Sequence, residues 1–230
     1  MPRRPDLAVK AELLRRAYAS NHNSHVAFID ESYLAPSRGE PQTPFYIATA
    51  YIAPCEDHAD IRADLLALVG GNFWHTTEAH RSEEGRLTVA QLCDYIAEGG
   101  NSEHIVVAIK KPILPSDPDG EVARAQCLTD LLAALHSGTF APAVSLILFE
   151  ERKFQTQMNA DVRTISAARA AGLIGRNTTV FQASPSYETI LWLPDVVSFA
   201  AYQRHIGSDA DYLSTFEERV QYLTVSDPTA

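Results

Sequence analysis

The chain has 230 residues, 46% of them apolar and 21% charged, with 11 Gly and 13 Pro. That composition suits one α/β domain and excludes disordered, collagen-like and linker-dominated chains. With 29 Asp and Glu against 19 Lys and Arg, the formal net charge is -10. Such a field repels phosphate backbones and excludes a free-standing duplex-coating protein, whose binding would rest on Lys and Arg displacing counterions. A nuclease that meets nucleic acid transiently, or through a partner, is not excluded.

In chain order, residues 6–20 read as a helix, with Leu7, Leu13, Leu14 and Tyr18 as a partial apolar stripe and Asp6 as its cap. Segments 25–32 (HVAFIDES) and 44–53 (PFYIATAYIA) read as strands. The loop between them holds Pro36, Gly39 and Pro41 and suits a wide antiparallel hairpin. A helix over 57–69 stops at Gly70-Gly71, followed by a short aromatic strand over 72–76. A helix over 88–98 precedes a β-branched strand over 104–110, and a helix over 121–136 ends at Gly138. Segment 143–149 (AVSLILF) is apolar throughout, as in a strand buried on both faces. A helix over 157–171, a strand over 178–182, a helix over 194–205 and a last helix over 211–222 complete the reading. Paired strands followed by strands alternating with helices predict a mixed α/β sheet, its first hairpin antiparallel and its later strands parallel. The expected organisation is an N-terminal helix within 1–24 and one domain over 25–230.

The three cysteines, Cys55, Cys93 and Cys127, form no C-x-x-C pair and read as reduced thiols rather than as disulfides or a zinc site. The charged start Met1-Pro2-Arg3-Arg4-Pro5 has no apolar stretch behind it, and no apolar run approaches the ~18 residues of a membrane span. A cytoplasmic protein without membrane contact is expected.

Acidic residues fall where strands end. The first strand is apolar up to Asp30 and Glu31, and 143–149 leads into Glu150, Glu151 and Arg152. Strand ends line the crevice where α/β sheets bind ligands. Two carboxylates on neighbouring strands repel unless a proton or cation lies between them, and oxygen donors suit Mg2+ or Mn2+. Taken singly, Asp30 and Glu150 also read as solvated strand-end residues. Asp195 follows Pro194 in a first helical turn, where the helix dipole alone favours an acid. Its neighbours Trp192, Leu193, Val196 and Val197 set it at the core boundary, where a carboxylate needs a partner. His75 is a candidate for contacting a substrate phosphate or acting as an acid, or a polar strand-end residue, and Glu78 is a further candidate carboxylate. Arg152 and Lys153 either hold a substrate phosphate or neutralise Glu150 and Glu151. Phosphate-binding glycine loops, nucleophile elbows and the H-E-x-x-H zinc motif do not occur.

Phe28-Ile29-Asp30-Glu31-Ser32, the strand Tyr46 to Tyr51, the segment Phe73 to Glu78 and Leu191-Trp192-Leu193-Pro194-Asp195 follow one another in an order that resembles the bacterial DUF 3800 family. The matching segments span about residues 25–205. Tyr33 stands where the family has Gly, Pro194 where it has Ala, and Glu150 where many relatives have Asp. The resemblance implies a ribonuclease H-like fold: a mixed sheet with an antiparallel N-terminal hairpin and parallel strands, flanked by helices. It implies Mg2+ or Mn2+ held by Asp30, Glu150 and Asp195, with Glu31 or Glu78 as a fourth ligand, for phosphodiester cleavage. A second expectation is a catalytically degenerate binding or assembly protein of a mobile-element or defence system, acting as a homodimer or docking a nucleic-acid-binding partner. A third is a hydrolase of a small phosphorylated metabolite using the same carboxylates.

Overall fold

The two N-terminal segments rich in β-branched and aromatic residues form strands β1 (His25–Leu34) and β2 (Phe45–Pro54) in a computed structural model that describes residues 7–36 and 42–225. They pair antiparallel along their whole length, His25 opposite Pro54 and Leu34 opposite Phe45. Strand β3 (His104–Lys110) adds antiparallel to β2. On the other side of β1, β4 (Leu146–Glu150) and then β5 (Thr179–Ala183) add in parallel. The last strand, β6 (Val220–Thr224), lies parallel to β3, giving the order β5-β4-β1-β2-β3-β6. This is the α/β mixed sheet of the ribonuclease H-like expectation. Every strand but β2 runs the same way, so five strands end at one edge of the sheet.

The helices are α1 (Leu7–Ser20), α2 (His58–Val69), α3 (Thr76–Ala79), α4 (Glu83–Glu98), α5 (Glu121–Ser137), α6 (Gln155–Ala170) and α7 (Trp192–Ile206). Period-2 alternation divides the strands between two cores. Val26 and Phe28 pack with Leu65 of α2, Leu92 of α4 and Val197 of α7. Ala27 and Ile29 pack with Leu131 of α5 and Ile165 of α6. Covered on both sides, β2 is buried along its whole length, including Thr49. Helix α2 ends because Gly70 adopts a left-handed conformation (φ 66°), which glycine takes without steric cost. Helix α4 begins earlier than its apolar pattern, because the Ser82 hydroxyl accepts the Gly85 N–H at 2.9 Å.

Helix α1 rests on the domain through Leu14, while Leu13 of the expected stripe is 47% exposed. Asp6, Gly39, Pro41, the stretch Met1 to Pro5 and the tail 226–230 lie outside the described residues. Among the described residues no helix is long and apolar enough to cross a membrane.

Two expected elements are corrected. Segment 72–76 is not a strand: residues 72–75 are irregular, and Thr76 opens α3. Its hydrogen bonds go to side chains rather than to a ladder, as described below. Segment 211–222 is not a helix. Leu213 and Phe216 turn into the core on short 3-10 turns, and Val220 to Thr224 then pair along the free edge of β3. The Arg219 guanidinium fixes that turn by donating to the carbonyls of Gly100 (2.9 Å) and Glu103 (3.2 Å). An open edge of β3 recruits the β-branched end of this segment, overriding its helical period.

Between α5 and α6 lies a buried ionic cluster. Arg124 and Asp161 are 4% and 2% exposed and meet in a bidentate pair of 2.8 and 3.1 Å. Arg124 also donates to the Tyr46 hydroxyl at 2.8 Å and pairs with Glu31. Removing one partner of such a pair strands a buried charge, so Asp161→Ala should lower the unfolding free energy by about 3–5 kcal/mol. Urea denaturation read by circular dichroism checks it; a loss below ~1 kcal/mol would mean that Arg124 finds another partner.

Candidate active site

The site begins with register. Ile29 of β1 lies opposite Phe149 of β4, so one step further Asp30 and Glu150 stand side by side at the shared strand edge. Alternation turns Asp30 toward the α7 face and Glu31 toward the α5 face. Asp195 enters from the first turn of α7, which packs across β1 and β2. The start of α7 is fixed from below. Glu188, 1% exposed, accepts Tyr18 Oη at 2.5 Å and Arg62 Nη2 at 2.8 Å. It thereby ties α1 and α2 to the 3-10 turn that leads into α7.

The electrostatics follow from crowding. Asp30 is raised well above the usual carboxyl range by burial, then by the negative charges of Asp195 and Glu150; Arg124 opposes the shift. Glu150 is solvent-exposed as a residue, yet loss of water around its carboxylate and the charge of Asp195 raise its pKa as well. The proximity of the two carboxyls acts on both, favouring the neutral form of Asp30 and the charged form of Glu150. Asp195 is raised by burial, against the Thr76 hydrogen bonds and the proximity of His75.

Thr76 holds Asp195. Its backbone N–H and its hydroxyl both donate to Asp195 Oδ2, at 2.8 and 2.9 Å. The Thr76 hydroxyl in turn accepts Trp74 Nε1 at 2.9 Å. Segment 73–76 is therefore a clamp on a carboxylate, which explains why it makes no strand. Residue-type reasoning stopped at the His and Glu of this segment and missed Trp74 and Thr76. The available signal was an indole and two hydroxyls beside them, since a buried indole N–H requires an acceptor.

A notch of about 50 Å³ opens beside the carboxylates, lined by Phe73, Trp74, His75, Glu150, Pro185, Leu191, Trp192 and Asp195. Of the sequence candidates, Asp30, Glu150 and Asp195 interact with one another, and His75 joins Glu150 and Asp195 at the notch. The others lie elsewhere. Glu31 faces the opposite side of the sheet and pairs with Arg124. Glu78 is exposed on α3 and does not line the notch. Arg152 turns to Glu121 (2.5 and 2.9 Å) and Asp161 (3.7 Å) rather than to Glu150. Glu151 is taken by Lys10 at 2.7 Å, and Lys153 lies 5.8 Å from the Phe154 ring centre.

The donor chemistry fits a hard divalent cation: three carboxylates from three elements, without an arginine or lysine at the notch. Two orphaned hydroxyls add to the fit. Thr49, directly opposite Asp30 across the strand pair, and Ser198, three residues after Asp195, are fully buried and have no hydrogen-bond partner among the described residues. Among the described residues no three His, Cys, Asp or Glu side chains are already drawn together in ligand geometry. Comparison with family models, with curated proteins and with solved structures finds no match for this chain.

Because the folded carboxyls titrate above their unfolded values, the native state binds more protons than the unfolded chain across that window. Their contribution to stability is present at low pH and is lost as pH rises through their raised range. The slope is up to about 1.4 kcal/mol per pH unit for each proton released. Asp30→Asn should flatten that slope and raise the unfolding free energy at pH 8 relative to the parent. Urea titrations at pH 5 and pH 8, without added metal, measure both; an unchanged slope would contradict the crowding.

Proposed function

We propose that this chain is a divalent-metal-dependent nuclease or phosphodiesterase of ribonuclease H-like type. One observation carries the reading: Asp30, Glu150 and Asp195, from two strands and a helix, meet at the sheet edge with their titrations raised. Three like charges gathered at one place favour a cation strongly. Asp30, Glu150 and Asp195 would hold Mg2+ or Mn2+; when bound, the ion supplies Lewis acidity and lowers the pKa of water in phosphodiester hydrolysis.

The chain's own residues have separate tasks. Asp30 and Glu150, side by side at the strand edge, would hold the ion from the sheet. Thr76, itself held by Trp74, fixes the orientation of Asp195. His75 stands exposed at the lip of the notch, in reach of an incoming phosphate's side of the site. Leu191, Pro185 and Trp192 form an apolar wall that limits water on the other side. The net charge of -10 supports nucleic acid as a transient or partner-assisted substrate rather than a stably held one. A cytoplasmic setting and a homodimer belong to the same proposal. The reading of a non-catalytic binding or assembly protein is favoured by one feature, the raised titration of Asp30, which sets protonation against metal binding at that carboxyl.

Hydrolysis of labelled oligonucleotides with Mn2+ or Mg2+ separates the two. The expected result is cleavage that chelation abolishes and Asp195→Asn eliminates. Thr76→Val, which removes an orienting bond from outside the ligand set, should cost about 10–100-fold in metal affinity or rate. Glu78→Gln should leave the rate unchanged. Cleavage indifferent to chelator, or absent at every metal concentration, would remove the metallo-nuclease reading.

A further inference from the structure

We infer that the substrate class of this site is single-stranded nucleic acid, with the base beside the scissile phosphodiester stacked on Phe73; this rests on reading the notch as a phosphodiester site. Phe73 is 59% exposed and stands on the lip of the notch with His75, Glu150 and Asp195. The rest of the wall is Trp74, Pro185, Leu191 and Trp192. No Lys or Arg is among these lining residues. Local cations therefore do not supply the affinity that most nucleic-acid sites draw from phosphate contacts. What the site offers a nucleotide is an aromatic face next to acidic oxygens. Stacking of a base on such a face is tolerant of sequence, because every base has a π-surface.

Size fixes how the base sits. A cavity of about 50 Å³ holds only a few waters, at about 10–15 Å³ of such space for each. A base cannot enter it and must lie outside, against the exposed ring. In a duplex the bases stack on one another and present no free face to Phe73, so an unpaired strand is the substrate the lip accepts. Position is also set. Phe73 is three residues before Thr76, whose N–H and hydroxyl grip Asp195. The ring is thus tethered by a short clamp to one of the reacting carboxylates, and a base on it keeps its own phosphate near them.

The test uses the full chain in Mn2+ and labelled strands of about ten nucleotides, within the usual site sizes for single strands. The probes are an oligothymidylate, its abasic counterpart with the same charge, and the oligothymidylate paired in a duplex. Anisotropy reads binding and a gel reads cleavage of the same samples. The expected result is tightest binding to the oligothymidylate, with Phe73→Ala weakening it about 5- to 150-fold. Phe73→Trp should restore it, and Leu87→Ala, an equally exposed apolar residue on α4, should not change it. Equal affinity for the abasic strand, indifference to Phe73→Ala, or no binding to any strand overturns the inference. Metal-dependent cleavage that ignores Phe73 would leave the nuclease reading standing and remove the stacking. Phe73-dependent binding without any cleavage would do the reverse.

Discussion

The site depends on the parallel register between β1 and β4. Ile29 opposite Phe149 sets Asp30 beside Glu150, at an edge already partly withdrawn from water. A slip of one residue would exchange the faces of Asp30 and Glu31, because side chains alternate along a strand. Asp30 would then face Arg124 and Glu31 would take its place among the carboxylates. The register is protected by the cores on both sides. Phe28 and Ile29 are both buried, on opposite faces, and neither tolerates exchange with a carboxylate.

The two faces of the sheet treat acidic residues differently. On the α5 face Glu31, Glu121 and Asp161 are each met by Arg124 or Arg152. On the α7 face Asp30, Glu150 and Asp195 have no guanidinium among them, and the charge of Arg124, the Thr76 hydrogen bonds and the proximity of His75 oppose the raised titrations. The first arrangement is an internally neutralised ionic cluster and holds α5 to α6. The second gathers carboxyls without a paired guanidinium or ammonium beside a notch in the surface. That asymmetry distinguishes carboxylates that pin the fold from carboxylates available to a ligand. Glu188 shows a third use: buried and met by Tyr18 and Arg62, it sets the start of α7 and hence the position of Asp195.

Much of this was legible in the sequence. Apolar runs ending in acids marked β1 and β4 and put Asp30 and Glu150 at strand ends, while their common edge came from the pairing of β1 with β4. Asp195 stood out because a carboxylate among Trp192, Leu193, Val196 and Val197 needs a partner. What sequence did not disclose were long-range pairings. The partner of Asp195 is Thr76, a hundred and more residues away, and a hydroxyl carries no local sign of such a bond. Arg152 sits next to Glu150 and Glu151 in sequence, but the turn after β4 sends it across to Glu121. Segment 211–222 has helical spacing and joins the sheet because β3 has a free edge, which only the assembled fold reveals. Glu31 was expected as a fourth ligand beside Asp30, but adjacent strand residues cannot share a face, and it pairs with Arg124 instead.

The proposed function requires that Asp30, Glu150 and Asp195 bind a divalent cation. The most direct measurement is anomalous diffraction from crystals soaked in manganese. The account predicts one or two peaks within about 2.1–2.3 Å of oxygens of these three residues, with Thr76 still bonded to Asp195. Clear density with the three carboxyls unchanged and no anomalous peak between them, at millimolar manganese, would contradict it.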